Sequence, residues 1–264
     1  MIGHVTFIGA GPGDPELITL KGHKALHAAQ VVLHDALIEP AMLEGLPGRL
    51  INVGKRCGAH AMAQEAINML LAREALQGQR VVRLKGGDGA VLGRLGEEML
   101  HLTRHGVPFS VIPGVTSATA VPVHAGIPVT HRGLADGFVV ATAHRRTEGE
   151  VEFSIPPYHP RTTVVLLMGL GTTALWREQL LRQGYPPELP LAFISAGSTP
   201  RQRVVRSTVQ QALSDLEAAN LPTPALVVVG RVVELSTTLA WFGPMAQASA
   251  EHPALPLMAA GVMG

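Results

Sequence analysis

Cysteine, charged residues and long apolar runs are scarce in this sequence, and each scarcity excludes a class of protein. Cys57 is the single cysteine among 264 residues, so no internal disulfide can form and a reducing cytoplasm suits the chain. Charged residues make up only 16% and the formal net charge is +1, without a basic run that would predict nucleic-acid binding. No apolar run reaches the roughly 18 residues of a membrane-spanning helix, and the chain opens directly on a predicted strand rather than on a signal peptide. We therefore expect a cytoplasmic protein without a membrane or nucleic-acid partner.

Hydrophobic residues, at 47% of the chain, fall in short runs that alternate with helical segments. In the first half the runs predict strands over residues 5–8, 31–34, 49–53, 80–85 and 109–112. Strands separated by helices of this length predict an α/β fold with a mostly parallel sheet. The second half predicts strands over residues 137–143, 163–168, 191–195, 203–207 and 225–229, with some antiparallel pairing. We expect two α/β domains, residues 1–114 and 115–244, and a flexible tail over 245–264, which lacks periodicity.

One stretch, residues 83–98 (RLKGGDGAVLGRLGEE), has the composition of a ligand site. Its strand ends at Gly86-Gly87, where the missing Cβ atoms let a ligand approach the backbone. Asp88 can either cap the next helix, expected from about residue 93, or hold a polar group of the ligand. On that helix the spacing of Arg94 predicts that it shares a face with Glu97 and Glu98.

The first loop, residues 9–14 (GAGPGD), invites comparison with dinucleotide-binding loops. It follows a strand, and Asp35 ends the next strand about where a ribose-binding acid would lie. However, Asp14 occupies the third glycine position and would repel a pyrophosphate, while Pro12 lacks an amide hydrogen. A nicotinamide-dependent oxidoreductase is therefore a disfavoured alternative, and a plain strand–helix turn remains open. Asp14 followed by Pro15 predicts the start of a helix that continues to about residue 29.

Several segments occur in a characteristic order in both halves: 5–17 (VTFIGAGPGDPEL), 31–37 (VVLHDAL), 53–56 (VGKR), 83–98, 113–116 (PGVT), 126–132 (GIPVTHR) and 168–170 (MGL). Together they resemble the tetrapyrrole (corrin/porphyrin) methylase family over residues 4 to about 242. The resemblance implies a homodimer of two-domain subunits with S-adenosylmethionine (SAM) in the cleft between the domains. Within the family, the chain is most similar to members that methylate uroporphyrinogen III at C2 and C7, giving precorrin-2 and S-adenosylhomocysteine, on the way to sirohaem, cobalamin or haem d1.

The resemblance also implies the roles of individual residues. The implied SAM site comprises Pro12, Gly86, Gly87, Asp88, Val91, Thr116, Ser117, Met168, Gly197, Ala225 and Leu226. Asp35 is implied as the proton acceptor, Lys55 as the proton donor, and Arg94 with Glu97 as contacts to the acidic tetrapyrrole. A guanidinium suits that substrate because it can bind a carboxylate bidentately. We expect no metal site, since His60, His101 and His105 lack a companion ligand at suitable spacing.

The chain departs from the family pattern between the implied cofactor and substrate residues. The family usually has proline, two aromatic residues and glycine where this chain has Gly89, Ala90, Leu92 and Leu95. None of these changes removes a polar group from the implied site. Two alternatives stay open: a methylase of a later corrin precursor, and a non-catalytic protein that binds SAM or a tetrapyrrole.

Overall fold

A computed structural model describes residues 1–54, 62–143 and 153–242 of the chain. Its first half contains a sheet in which all neighbouring strands run parallel. The strands are β1 (His4–Gly9), β2 (Val31–His34), β3 (Arg49–Asn52), β4 (Arg80–Lys85) and β5 (Phe109–Ile112), arranged in the order β3-β2-β4-β1-β5. β2 is buried along its whole length, as expected for a parallel strand covered on both faces. The predicted parallel sheet is confirmed.

Three helices accompany this sheet: α1 (Leu20–His27), α2 (Gln64–Leu76) and α3 (Leu95–Arg104). The prediction of one helix from Asp14 to about residue 29 was wrong in its first part. Asp14 caps only a short 3-10 turn, accepting a hydrogen bond from the Glu16 amide at 2.8 Å. The chain then becomes extended, and Thr19 starts α1 by accepting a hydrogen bond from the Gly22 amide. The break has a local cause, since a threonine hydroxyl offers a new cap and β-branched residues are poor helix formers.

The second half contains a mixed sheet with the order β6-β7-β10-β8-β9. Its strands are β6 (Gly137–Thr142), β7 (Thr162–Leu167), β8 (Pro190–Ser195), β9 (Arg203–Thr208) and β10 (Ala225–Val229). β6 and β7 are parallel, whereas β10 and β9 run antiparallel to their neighbours, which confirms the predicted antiparallel pairing. The helices α4 (Ser117–His124), α5 (Thr173–Arg182), α6 (Ala212–Ala219) and α7 (Ser236–Leu239) complete the described chain. The domain boundary after residue 114 falls between β5 and α4 and stays a prediction; residues 245–264 lie outside the described part.

Each sheet has an apolar cluster on each of its faces. In β1, Val5 and Phe7 belong to one cluster and Ile8 to another. In β7, Val164 and Val165 belong to opposite clusters in the same way. This alternation follows from the two-residue period of a strand. The sheets are therefore packed on both faces, and the loops at their edges are the places where function can vary. No described helix has the length and hydrophobicity to cross a membrane.

A buried tyrosine in the second half gives a test of this packing at alkaline pH. Burial, with a smaller contribution from Tyr158, raises the pKa of Tyr185 to about 12. An unfolded tyrosine loses its proton near pH 10. Between these values the folded chain holds a proton that the unfolded chain has lost, so the free energy of unfolding should fall as pH rises. Urea unfolding should show a shallower fall in Tyr185→Phe; equal slopes in both proteins would contradict the burial.

Candidate active site

The carboxyl edge of the first sheet gathers the candidate residues of the first half. Pro12 follows β1, Asp35 follows β2, Gly86–Asp88 follows β4 and Thr116 lies beyond β5. Because all five strands are parallel, these loops leave the same edge, where open α/β sheets bind ligands. Lys55 comes shortly after β3 but lies outside the described residues.

One edge of the second sheet gathers the remaining candidates. Met168 directly follows β7 and Gly197 lies just beyond β8, while Ala225 and Leu226 begin β10. β10 runs antiparallel to both neighbours, with Leu226 opposite Leu167 and Ala225 opposite Ser195. The start of β10 therefore lies between the ends of β7 and β8, so the second-half candidates share one edge.

The two edges contact each other through the backbone and α4. A Cβ atom on Gly87 would lie 3.5 Å from the amide nitrogen of Ser117, the first residue of α4. A Cβ on Gly197 would lie only 2.3 Å from Val121 in the same helix, and one on Gly13 would lie 2.9 Å from the Gly197 carbonyl oxygen. The structure thus brings together candidates that are far apart in the sequence; their binding of a cofactor stays a prediction.

Glycines permit this close approach within the first half as well. Gly11 and Gly87 exchange backbone hydrogen bonds of 3.2 and 2.7 Å, and Gly87 has a left-handed φ of 63°. A Cβ on Gly114 would lie 2.4 Å from the Gly87 carbonyl oxygen. Gly86 differs, because no atom lies within 4 Å of where its Cβ would be. The backbone of Gly86 therefore borders open space that a ligand can occupy.

Asp88 uses both carboxylate oxygens to hold these loops together. Its Oδ1 accepts a hydrogen bond from the Ala90 amide at 2.7 Å, and its Oδ2 accepts one from the Gly114 amide at 3.0 Å. One of the two roles expected for Asp88 was to cap α3. The structure does not show this, because the residue that precedes α3 is Arg94, and no side chain caps the helix there. Since each oxygen has a second lone pair, Asp88 can position the loops and still accept a hydrogen bond from a ligand.

Left-handed backbone conformations are concentrated in the same loops. Away from glycine they occur, within the described ranges, at Leu92, Arg94, Met168, Ala196, Ser198 and, outside the site, Asn220. The left-handed conformations of Leu92 and Arg94 explain why α3 begins at Leu95 and not near residue 93 as predicted. Each such residue costs on the order of 1–3 kcal/mol, and strain of this kind is typical of functional sites. Met168 is also half exposed, so its side chain is available to a ligand.

Arg94 and Glu97 form an exposed, two-pronged ion pair at the start of α3. Arg94 Nε donates to Glu97 Oε1 at 2.9 Å, and Nη2 donates to Oε2 at 2.6 Å. The hydrogen bond to Glu97 raises the pKa of Arg94, but an exposed pair contributes no more than about 1 kcal/mol. Glu98 is buried and does not share this surface, contrary to the prediction, because Arg94 precedes α3 in a left-handed conformation and the i, i+4 spacing of a helix does not apply to it.

Glu98 belongs instead to a buried charge network with Arg83, Lys85 and Asp35. Its Oε1 accepts a hydrogen bond from Arg83 Nε at 3.1 Å, and both its oxygens lie 3.0 Å from Lys85 Nζ. Arg83 Nη2 donates a hydrogen bond to Oδ1 of Asp35, in the loop that follows the neighbouring strand β2. Burial, and then the charge of Arg83, lower the pKa of Lys85. The sequence analysis gave no functional role to Arg83, Lys85 or Glu98. The signal that could have indicated a buried charge network is the pair of cations, Arg83 and Lys85, on one face of a buried strand.

The cavity of about 650 Å³ beside the first loop does not coincide with this site. Gly13, His124, Ser198, Arg201 and Trp241 are among its lining residues, and no candidate cofactor residue lines it. Its volume lies within the range of about 300–1,000 Å³ that is usual for ligand pockets. The close contacts of Gly87 and Gly114, the left-handed Arg94 and Met168, and the buried charges lie instead at the facing sheet edges, which we take as the candidate active site.

Comparison with known proteins gives consistent matches over most of the chain. A family model for the tetrapyrrole (corrin/porphyrin) methylases matches residues 4–213. A uroporphyrinogen-III C-methyltransferase of Methanocaldococcus jannaschii is 45% identical over 241 residues, covering 89% of this chain and 98% of that protein. A siroheme synthase of Nitrosospira multiformis is 44% identical over 246 residues, covering 92% of this chain but 52% of that protein. The chain spans about half the length of the siroheme synthases that it matches.

Solved structures give the same result. The native uroporphyrin-III C-methyltransferase of Thermus thermophilus has a TM-score of 0.76 and 42% identity, covering 88% of this chain and all of that one. The same enzyme complexed with S-adenyl homocysteine has a TM-score of 0.75 at the same identity and coverage. A cobalt precorrin-4 methyltransferase has a TM-score of 0.72 and 27% identity, covering 87% of this chain and 95% of that one. The predicted fold class and the family resemblance are confirmed.

The close approach of the loops can be tested at Gly114. In Gly114→Ala the new Cβ would meet backbone atoms of Gly87 and Gly9, which cannot rotate away. We expect the free energy of unfolding to fall by about 1–3 kcal/mol.

Gly96→Ala is the matched control, because a Cβ on Gly96 in α3 would meet no atom within 4 Å. This variant should be as stable as the unchanged chain, or more stable by up to about 1 kcal/mol. Urea unfolding of the two variants would contradict the packing if Gly114→Ala were no less stable than Gly96→Ala.

Proposed function

The chain belongs to the tetrapyrrole (corrin/porphyrin) methylase family, and from this membership we propose that it transfers methyl groups from SAM to uroporphyrinogen III. The observation that carries the proposal is the meeting of the candidate cofactor residues from both halves where the two sheet edges face each other. The finer proposal is methylation at C2 and C7, which gives precorrin-2 and S-adenosylhomocysteine.

The residues at the facing edges fit a SAM molecule. The open space beside Gly86 accommodates a ligand against the backbone, and the half-exposed Met168 offers a soft apolar surface for adenine. Asp88 provides negative charge and free lone pairs for the cationic or hydroxyl groups. Thr116, Ser117, Pro12, Val91, Gly87, Gly197, Ala225 and Leu226 complete the proposed cofactor site. When bound, SAM supplies an electrophilic methyl group on a sulfonium sulfur.

The chain's own contribution to the reaction is alignment and proton removal. An electron-rich pyrrole carbon needs its attacking direction fixed more than it needs a strong base. After methylation the macrocycle loses a proton, and Asp35, partly exposed at the end of β2, is the proposed acceptor. Lys55, the proposed donor, lies outside the described residues.

We propose that Arg94 binds a carboxylate of the acidic macrocycle. Its guanidinium is more than half exposed and is already held in a two-pronged geometry by Glu97. A substrate carboxylate can take the place of Glu97 or share the guanidinium with it, because the exposed pair is weak. We also propose a cytoplasmic homodimer with SAM in the cleft between residues 1–114 and 115–244.

The proposed reaction can be tested directly with the purified chain. Incubation with uroporphyrinogen III and SAM should give a product heavier by two methyl groups, measured by mass spectrometry, and calorimetry should show SAM binding. SAM binding without methylation would favour a later corrin precursor as acceptor or a non-catalytic binder. Binding of NADH in place of SAM would contradict the cofactor assignment.

Substitution of Arg94 tests the substrate contact. In Arg94→Ala, loss of a charge-assisted contact should lower kcat/KM for uroporphyrinogen III by about ten- to a hundredfold. The affinity for SAM should stay unchanged, because Arg94 is not among the proposed cofactor residues.

Arg104→Ala, at the far end of the same helix, is the matched control and should retain full activity. Equal rates for the two variants would remove Arg94 from the substrate site.

A further inference from the structure

The carboxylate of Asp35 is held from one side only. Arg83 Nη2 donates a hydrogen bond to its Oδ1, and the Asp35 amide donates to the Leu84 carbonyl oxygen at 3.2 Å. The other carboxylate oxygen, Oδ2, makes no hydrogen bond to any residue in the described ranges. The side chain retains 32% exposure, so the carboxylate is not sealed inside the protein.

Arg83 is far more buried than the carboxylate that it contacts, and it makes more hydrogen bonds. Its side chain is 3% exposed and lies on β4, in register with Leu33 of β2. Nε donates to Glu98 at 3.1 Å, and Nη1 donates to the Leu84 carbonyl oxygen at 3.2 Å. A planar guanidinium bonded along several edges has one allowed orientation. The geometry therefore lets Arg83 fix Asp35, whereas Asp35 cannot determine the position of Arg83.

Glu98 supplies the buried counter-charge that keeps Arg83 in place, and it pairs with Lys85 as well. Glu98 has no exposed side-chain surface, and it accepts further hydrogen bonds from Lys85 and from Gln64 Nε2 at 3.1 Å. Two buried cations are thus balanced by the buried Glu98 and the partly exposed Asp35. Burying each ion costs several kcal/mol, and well-packed apolar residues often give equal or greater stability. Stability alone is therefore a poor reason for this network, whereas orientation of Asp35 is a sufficient one.

We propose that Arg83 is a positioning residue that acts through Asp35. It holds Oδ1 so that Oδ2 is presented to the methylated macrocycle. A C–H bond of a methylene bridge next to the methylated pyrrole breaks, its electron pair neutralises the cationic macrocycle by forming a C=C bond, and the proton forms an O–H bond at Oδ2. This role rests on the proposed function, because it requires Asp35 to be the proton acceptor.

A double-mutant cycle on uroporphyrinogen III methylation tests the role. Arg83→Met should lower kcat by about tenfold or more, since misplacement of a reacting group by about 1 Å can cost a hundredfold. KM and the calorimetric affinity for SAM should stay unchanged. In an Asp35→Ala background, the same substitution should have no further effect on kcat. The matched control, Arg80→Met, removes an exposed cation from the same strand and should leave the rate unchanged.

The outcomes separate the inference from the proposed function. An equal fold-loss from Arg83→Met in both backgrounds, or a change confined to KM, overturns the positioning role while the proposed function stands. An unchanged rate in Asp35→Ala removes Asp35 as acceptor and the positioning role with it, and no methylation by the unchanged chain overturns both. If Arg83→Met does not fold, Arg83→Lys takes its place. An ammonium keeps the positive charge, but it lacks the planar set of donors with which Arg83 binds Glu98 and Asp35 at the same time.

Discussion

The buried carboxylate of Glu98 is the constraint on which the first half of the protein depends. A charge without any exposed surface must be matched inside, and Arg83, Lys85 and Gln64 provide the donors. These contacts tie β4 to α2 and α3, so the rotation of α3 about its own axis is fixed. With Glu98 inward, Glu97 and Arg94 face outward at the carboxyl edge of the sheet. One buried ion therefore sets both the internal support of Asp35 and the external position of Arg94.

Two of the four departures from the family pattern, Gly89 and Leu95, lie beside Lys85 of this network, and the structure gives them a local explanation. A Cβ on Gly89 would lie 2.9 Å from Lys85 Cδ and 3.7 Å from Leu95 Cβ. Leu95 is buried and occupies the neighbouring space. The absence of a side chain at 89 and the added bulk at 95 are thus a local exchange of volume beside Lys85. Neither change removes a polar group from the candidate site, which supports an active enzyme over a non-catalytic relative.

Hydrophobic runs and turn residues were enough to predict the strands, the parallel sheet and the glycine break after β4, whereas the candidate residues of the second half came from the family resemblance. These patterns were not enough to predict the internal charges of the site. Glu98 follows Glu97 at a helix start, where both look solvent-facing, and its partner Arg83 lies 15 residues away on another element. Likewise, α3 begins later than predicted because Arg94 is left-handed, and nothing in the amino-acid composition indicates that conformation. The missed features all depend on tertiary contacts or backbone conformations that local patterns do not encode.

The central claim is that the methyl donor binds where the two sheet edges face each other, and not in the cavity beside the first loop. A crystal structure of the chain with S-adenosylhomocysteine tests this most directly. We predict that the ligand will contact Gly86, Met168 and Gly197, with Asp35 facing the cofactor across the site. Density for the ligand against His124, Arg201 and Trp241, which line the cavity of about 650 Å³, would contradict the account.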